Sequence, residues 1–169
     1  MKDILLKEDQ WQNRKTRSSA PSFVHEVVSL NEYKEVVADE RDRLVVVRFY
    51  ARWCRACKAI EPYFYRLAKS MPNVKFVQVP VEESNANLHQ GLGVPFLPFA
   101  HIYSPSLGLV EELRMSKKDF SNFHNILKTY VAGECSDLEM DPETGMFLSP
   151  FKSHASETEK VEPLVAGMK

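Results

Sequence analysis

The amino-acid sequence predicts an α/β fold in which a mixed central sheet is flanked by helices on both faces. Runs of β-branched and aromatic residues alternate along the chain with segments whose apolar residues recur at helical spacing. This alternation requires crossover connections, and crossovers produce parallel strands. A strand–turn–strand pattern near the end of the alternating region adds antiparallel strands, so the predicted sheet is mixed.

The first half of the alternating region supplies two strands and two helices. Apolar residues within 22–29 indicate a first strand, and residues 30–40 follow with a helical face. The run from Leu44 to Tyr50 is almost wholly apolar, which is typical of a central strand covered on both faces. Residues 56–70 form the next predicted helix, and Pro62 inside it should kink it.

The second half ends in a hairpin and a helix. Residues 74–81 predict a strand, with Pro80 indicating an edge or a strand end, and residues 84–91 predict a short helix. Two further strands, 98–103 and 109–115, are separated by a turn. The last helix is predicted to run to about residue 132 with Ser116 as its N-cap. The expected order is therefore β-α-β-α-β-α-β-β-α.

Composition divides the chain into three parts. Residues 1–21 are polar and mildly basic and are expected to be a flexible arm, and residues 22–132 form the predicted domain. Residues 133–169 contain eight acidic and three basic side chains, so we expect a mostly extended or disordered tail. The tail carries Cys135, whose role the sequence leaves open.

Several classes of protein are disfavoured by the bulk properties. A formal net charge of -1 gives no indication of nucleic acid or an anionic membrane as a partner. No apolar run approaches the roughly 18–20 residues that a membrane span needs. Three cysteines are too few and odd in number for a secreted disulfide scaffold. We therefore expect an intracellular protein that is a monomer.

The chemistry is concentrated in the run Trp53-Cys54-Arg55-Ala56-Cys57, where a central strand passes into a helix. Two intervening residues let one turn bring both sulfurs within bonding reach. Backbone N–H groups and the positive dipole at the start of the helix favour a thiolate, the species that attacks disulfides. Arg52, Arg55 and Lys58 are predicted to lower the pKa of Cys54 further. Cys54 is thus the expected nucleophile and Cys57 the expected resolving thiol.

Other uses of this cysteine pair remain open at this stage. A Cys-x-x-Cys pair is half of a four-ligand zinc site, but the sequence offers no second pair at suitable spacing. Two buried structural cysteines, or an iron–sulfur cluster shared between two chains, are further alternatives. We predict no metal and no organic cofactor beyond the dithiol itself.

The segment from Val45 to Ala59, with its Trp-Cys-x-x-Cys-Lys core, resembles the active site of the thioredoxin family. Pro62, eight residues after Cys54, corresponds to that family's helix-kinking proline. The run 93–98, Gly-Val-Pro-Phe-Leu-Pro, resembles the family's segment before the fourth strand, and Gly108 matches its hairpin glycine. The resemblance covers about residues 22–132 and favours the atypical cysteine- and histidine-rich thioredoxins of plastids. It therefore implies a plastid or the cytoplasm as the compartment.

The resemblance implies a thioredoxin fold and roles for three further residues. Pro98 corresponds to the cis-proline that faces the disulfide, with Pro95 a weaker candidate. Leu97 would then offer its backbone to an extended target chain, and Trp53 would flank the site. Together with Pro98, these two residues form the expected substrate-binding surface.

The sequence departs from the family pattern at two places. Arg48 occupies the position of the buried aspartate that helps protons reach the resolving thiol, and Glu61 is a possible partner for it. Arg55-Ala56 replaces the usual glycine-proline between the cysteines. Both the lost proline and the added positive charge predict a couple less reducing than a standard thioredoxin.

Two functions are compatible with this pattern. The first is a thiol–disulfide oxidoreductase that exchanges disulfides with protein targets and depends on an upstream thiol reductant. The alternative is a redox-sensing binding module on the same scaffold with weak or no catalysis, which Arg48 keeps open.

Overall fold

The computed structural model describes residues 20–133 and 142–143 of the chain. The predicted arm and acidic tail, including Cys135, lie almost entirely outside these ranges, so their predicted character remains a prediction.

Five strands form one mixed sheet in the order β1-β3-β2-β4-β5. Strands β1, β3 and β2 are parallel, β4 is antiparallel to β2, and β5 is antiparallel to β4. The predicted mixed sheet is therefore confirmed. The strands are β1 (Val24–Glu26), β2 (Val45–Tyr50), β3 (Lys75–Pro80), β4 (Phe99–Ser104) and β5 (Gly108–Arg114).

Four α-helices cover the two faces of the sheet. They are α1 (Leu30–Tyr33), α2 (Arg55–Ser70), α3 (Ala86–Gly91) and α4 (Phe120–Val131). A π-helical segment, Lys34–Ala38, extends α1, and a 3₁₀ turn, Glu83–Asn85, precedes α3. The element order is the predicted one, with α1 shorter than expected because its second half adopts i→i+5 hydrogen bonding, as between Asp39 N–H and Lys34 C=O.

One local prediction is corrected by the structure, and another is confirmed in one of its two alternatives. The last helix begins at Phe120 with Asp119 at its N-cap, and Ser116 lies in the preceding turn, where its hydroxyl donates to the Asp119 carboxylate. Pro80 is the last residue of β3, which is the strand end that the sequence predicted as one alternative. The other alternative, an edge strand, does not apply, because β3 pairs with both β1 and β2. The missing proline N–H costs no ladder bond at the last residue of a strand.

Alternating side chains of the strands build two separate cores. Val46 and Ile102 point to the face covered by α2 and α4, where they pack with Phe64 and Phe123. The other face packs against α1 and α3, and its core includes Phe49. Strand β2 is buried along its whole length, which explains its continuous apolar run. The central strand therefore delivers the chain to the start of α2 from a rigid position.

Candidate active site

Cys54 and Cys57 form a disulfide at the N-terminus of α2, with their Cα atoms 5.2 Å apart. Cys54 is the N-cap residue of the helix, and its Sγ accepts a hydrogen bond from the backbone N–H of Cys57 at 3.1 Å. That N–H is one of the groups at a helix start that has no partner within the helix. An anionic Sγ at residue 54 would therefore meet both a hydrogen-bond donor and the positive end of the helix dipole.

The two sulfur-bearing residues differ in their access to solvent. Cys54 retains 7% of its accessible surface and Cys57 retains 1%. Both belong to a small apolar cluster with Tyr50 and Ala51, against which Leu97 packs. The arrangement is compatible with Cys54 as the residue that an incoming disulfide meets first.

The Leu97–Pro98 peptide bond is cis, as the family resemblance implies, whereas the bond before Pro95 is not. The carbonyl of Pro98 is bonded to the backbone N–H of Met115 at 3.2 Å, so β5 fixes this turn beside the cysteines. Phe96, 39% exposed, continues the surface, and the guanidinium of Arg114 lies 4.4 Å from its ring centre. An aromatic and apolar border thus lies next to the disulfide.

Trp53 is the most exposed large apolar side chain in the described ranges, at 76%. A tryptophan so exposed contributes little to the core. Its position directly before Cys54 places it at the disulfide.

The three basic residues expected to act on Cys54 have different surroundings. Arg52 lies 3.7 Å from the carboxylate of Glu82, so part of its charge is balanced. Arg55 and Lys58 are exposed in the first turn of α2. The carboxylate beside Arg52 offsets its influence on the sulfur, which leaves Arg55 and Lys58 as the cations more available to a thiolate.

Arg48 is completely buried on the face of the sheet that α2 covers. Its Nη2 donates to Oε2 of Glu61 at 2.9 Å, which confirms the partner suggested by the sequence. The guanidinium carbon lies 4.7 Å from the ring centre of Tyr50 and 5.2 Å from that of Phe64. The Nε and Nη1 atoms of Arg48 form no hydrogen bond with any described residue. Stacking and one ion pair therefore hold this charge in place.

A separate hydrogen-bonded network reaches β1 and meets Arg48 through the rings of Tyr50 and Tyr65. The hydroxyl of Tyr50 donates to Glu26 at 3.0 Å, and the side-chain amide of Gln78 donates to the same carboxylate oxygen at 2.8 Å. Tyr65 in turn donates to Gln78 at 3.1 Å. Burial and the nearby Glu26 raise the pKa of Tyr50, and burial first and Glu61 second raise that of Tyr65. Both phenols remain proton donors near neutral pH.

The sequence analysis missed Tyr50, Gln78, Glu26 and Tyr65 as parts of this site. A signal existed for Tyr50, because it lies two residues after Arg48 on one strand and must share its face. Gln78 was hidden, since its position opposite Arg48 follows only from the register of β2 with β3.

Within the described ranges, no three or more His, Cys, Asp and Glu side chains lie close enough together to hold a metal ion. No helix within the same residues is long and apolar enough to cross a bilayer.

Comparison with known proteins places this geometry in a family. The family model for thioredoxin matches residues 24–125. Thioredoxin-like 2, chloroplastic, of Oryza sativa is 29% identical over 120 residues, which cover 71% of this chain and 55% of that protein. Thioredoxin-like 1-2, chloroplastic, of Arabidopsis thaliana is 33% identical over 111 residues, which cover 66% of this chain and 45% of that protein. The matched region thus spans about half the length of these relatives.

Solved structures agree. The short form of thioredoxin f from spinach chloroplast superposes with a TM-score of 0.54 and 26% identity, covering 66% of this chain and 93% of that one. Residues 24–125, which the family model matches, contain all five strands, the Cys54–Cys57 disulfide and the cis Leu97–Pro98 bond. The chain therefore belongs to the thioredoxin family.

Proposed function

We propose that this protein exchanges disulfides with protein targets through Cys54 and Cys57. The observation that carries the proposal is the Cys54–Cys57 pair at the start of α2, with Cys54 Sγ already accepting a backbone hydrogen bond. An anionic sulfur at residue 54 attacks one sulfur of a target disulfide, forms a mixed disulfide and releases the other target sulfur as a thiolate. The Cys57 thiolate then attacks Cys54 Sγ, which restores the internal disulfide and releases the second target thiolate.

Two electrons thus pass from the dithiol to the target in each cycle. A thiol reductant upstream must reduce the Cys54–Cys57 disulfide before the next cycle, and its identity lies outside the proposal. The exposed Trp53 and the backbone of Leu97 beside the cis Pro98 form the proposed contact surface for an extended target segment. Arg52, Arg55 and Lys58 are proposed to favour the Cys54 thiolate, with Arg52 the weakest because of Glu82.

The direct test is reduction of insulin with dithiothreitol as the donor. Cys54→Ser should reduce the rate to that of dithiothreitol alone, because the attacking sulfur is gone. Cys57→Ser should accumulate a mixed disulfide with the target, because nothing resolves it. Cys135→Ser removes the chain's other thiol and is the matched control, with an unchanged rate expected. Equal rates for wild type and Cys54→Ser would refute the proposal.

We further propose that the couple is less reducing than a standard thioredoxin. Arg55 at the helix start and the buried Arg48 both add positive charge near the dithiol, which favours its reduced, ionised form. Equilibration with glutathione should give a potential above the roughly −270 mV of thioredoxin. A value at or below that figure would contradict this part of the proposal alone.

The second candidate is a redox-sensing binding module with little catalysis. Arg48 favours it, because a buried cation that never gives up its proton replaces the acid/base group expected under Cys57. In that case, insulin reduction would be absent in wild type and in Cys54→Ser alike, while Cys57→Ser would still trap partners. The names of the two plant relatives favour a plastid as the compartment, which import into isolated chloroplasts would test.

A further inference from the structure

Helix α2 carries a row of positive charge that begins at the redox-active cysteines. Its basic residues are Arg55, Lys58, Arg66 and Lys69, and all four are exposed. The steps between them are three, eight and three residues, and because eight is twice four, all four lie on one face of an α-helix. We call this set the basic stripe. At 1.5 Å per residue, it extends about 21 Å from the first to the last member.

Glu61 is the only acid of α2, and it lies three residues after Lys58 at the border of the basic stripe. Its carboxylate is bonded to the buried Arg48, so its charge is already balanced and the basic stripe is left without a counter-ion along the helix. The exposed Tyr63 lies beside the stripe with the guanidinium of Arg66 at 4.8 Å and the ammonium of Lys117 at 5.9 Å from its ring centre. Lys117 therefore widens the positive surface from the turn before α4.

This concentration of charge stands out because the whole chain has a formal net charge of -1. Residues three apart are neighbours on a helix, so Arg55 and Lys58 repel each other, as do Arg66 and Lys69. An exposed cationic surface whose helix offers no acid free to balance it favours an external anion, which would relieve the repulsion.

Resting on the proposed function, we propose that the basic stripe docks an acidic segment of the disulfide-containing target protein. The stripe starts next to Cys54, so a chain bound along it is delivered to the sulfur. A substrate that carries a disulfide is a polypeptide, and this favours an acidic protein segment over nucleic acid. Charge steering of this kind raises the association rate and is weakened by salt.

The test uses two synthetic peptides with the same cyclic disulfide core, one followed by six glutamates and the other by six glutamines. We expect the reduced wild-type protein to react about tenfold faster with the acidic peptide at low salt, with the preference lost at high salt. R66E/K69E should abolish the preference and leave the glutamine peptide unaffected, because both residues lie at the far end of the stripe.

K34E/R41E is the matched control. It changes the net charge by the same amount. Lys34 and Arg41 are exposed and precede β2 in the sequence, whereas the cysteines follow that strand. This variant should keep the preference for the acidic peptide. If it loses the preference equally, the effect comes from overall charge and the basic stripe is not a docking site.

Fluorescence anisotropy of both labelled peptides separates docking from chemistry. Tighter binding of the acidic peptide without any reduction would refute the proposed function and support the basic stripe. Reduction of both peptides at equal rates and with equal binding would refute the stripe and leave the proposed function intact. Tighter binding of a twenty-base single-stranded DNA than of the acidic peptide, lost in R66E/K69E, would assign the stripe to nucleic acid instead.

Discussion

Two groups of buried polar side chains lie on opposite faces of the same sheet, and their polar atoms are paired in different ways. On the face under α2, Arg48 carries a permanent charge, is fully buried and is paired with Glu61. On the other face, His101 is equally buried, and its Nδ1 lies 3.3 Å from the hydroxyl of Tyr103, which accepts a 2.6 Å hydrogen bond from Tyr33. The first group centres on a guanidinium, and the second on a histidine ring whose Nε2 lies 3.6 Å from the carboxylate of Glu112.

The aromatic surroundings show the same contrast. The rings of Tyr50 and Phe64 stack on a cation in the first group. In the second group, Phe49 and Phe99 meet the His101 ring edge-on, with centroids 4.8 Å and 5.6 Å apart. Only the first group reaches the cysteines, because Tyr50 packs in their cluster. The comparison teaches that the buried guanidinium lies on the face whose side chains pack against the dithiol, while the remote face buries a histidine and tyrosine hydroxyls.

The largest loss of stability is expected when one partner of the Arg48–Glu61 ion pair is removed. Glu61→Ala leaves Arg48 buried without a counter-ion and should lower the free energy of unfolding by about 2–3 kcal/mol. Arg48→Met should cost less, because the charge is removed together with its burial and Glu61 is 38% exposed to water. Urea unfolding of both variants measures this. A larger loss in Arg48→Met would show that stacking, and not ion pairing, dominates the site.

The next effect concerns the redox couple and depends on the sign of each charge. A buried cation stabilises the thiolate form, so Arg48→Met should make the protein more reducing. Glu61→Gln keeps a hydrogen-bond acceptor but removes an anion, so it should make the protein less reducing. We expect about a tenfold change in the exchange equilibrium each way, or about 30 mV. Glutathione equilibration measures both, and shifts in the same direction would exclude an electrostatic role.

A smaller effect is expected on the opposite face. Tyr103→Phe removes the acceptor for the Tyr33 hydroxyl and leaves that buried group without its partner, at a cost of about 1–2 kcal/mol in unfolding free energy. The redox potential should stay within error of wild type, since this group lies across the sheet from α2. A shift in potential comparable to that of Arg48→Met would remove the distinction between the two faces.

The fold could be predicted from the sequence because the hydrophobic pattern of each segment agrees with the element that the topology places there. The strands and helices were found from periodicity and run length, and the disulfide pair and the cis-proline from motif resemblance. Arg48 and Glu61 could be paired because one lies where the family has an acid and the other lies one helical turn after Cys57.

Polar partners that depend on strand register could not be predicted. Gln78 reaches Glu26, and Tyr33 reaches Tyr103, across 52 and 70 residues of chain. His101 was one of five scattered histidines in the sequence. Its burial follows only from the pairing of β4, which contains His101, with the antiparallel neighbour β2, where Val47 lies opposite His101.

The smallest effect is a dependence of stability on alkaline pH. Burial, and then the neighbouring Tyr103, raise the pKa of Tyr33, and burial raises that of Tyr103. A raised folded pKa means that the unfolded chain loses these protons first, so the contribution to stability is complete below about pH 10 and declines above it. One such phenol removes about 1 kcal/mol between pH 10 and pH 11. Tyr33→Phe should therefore flatten the decline by that amount relative to wild type, with the difference between the two proteins constant from pH 7 to pH 9. Parallel declines in urea unfolding across pH 9–11 would show that the folded protein lets Tyr33 ionise as freely as the unfolded chain does.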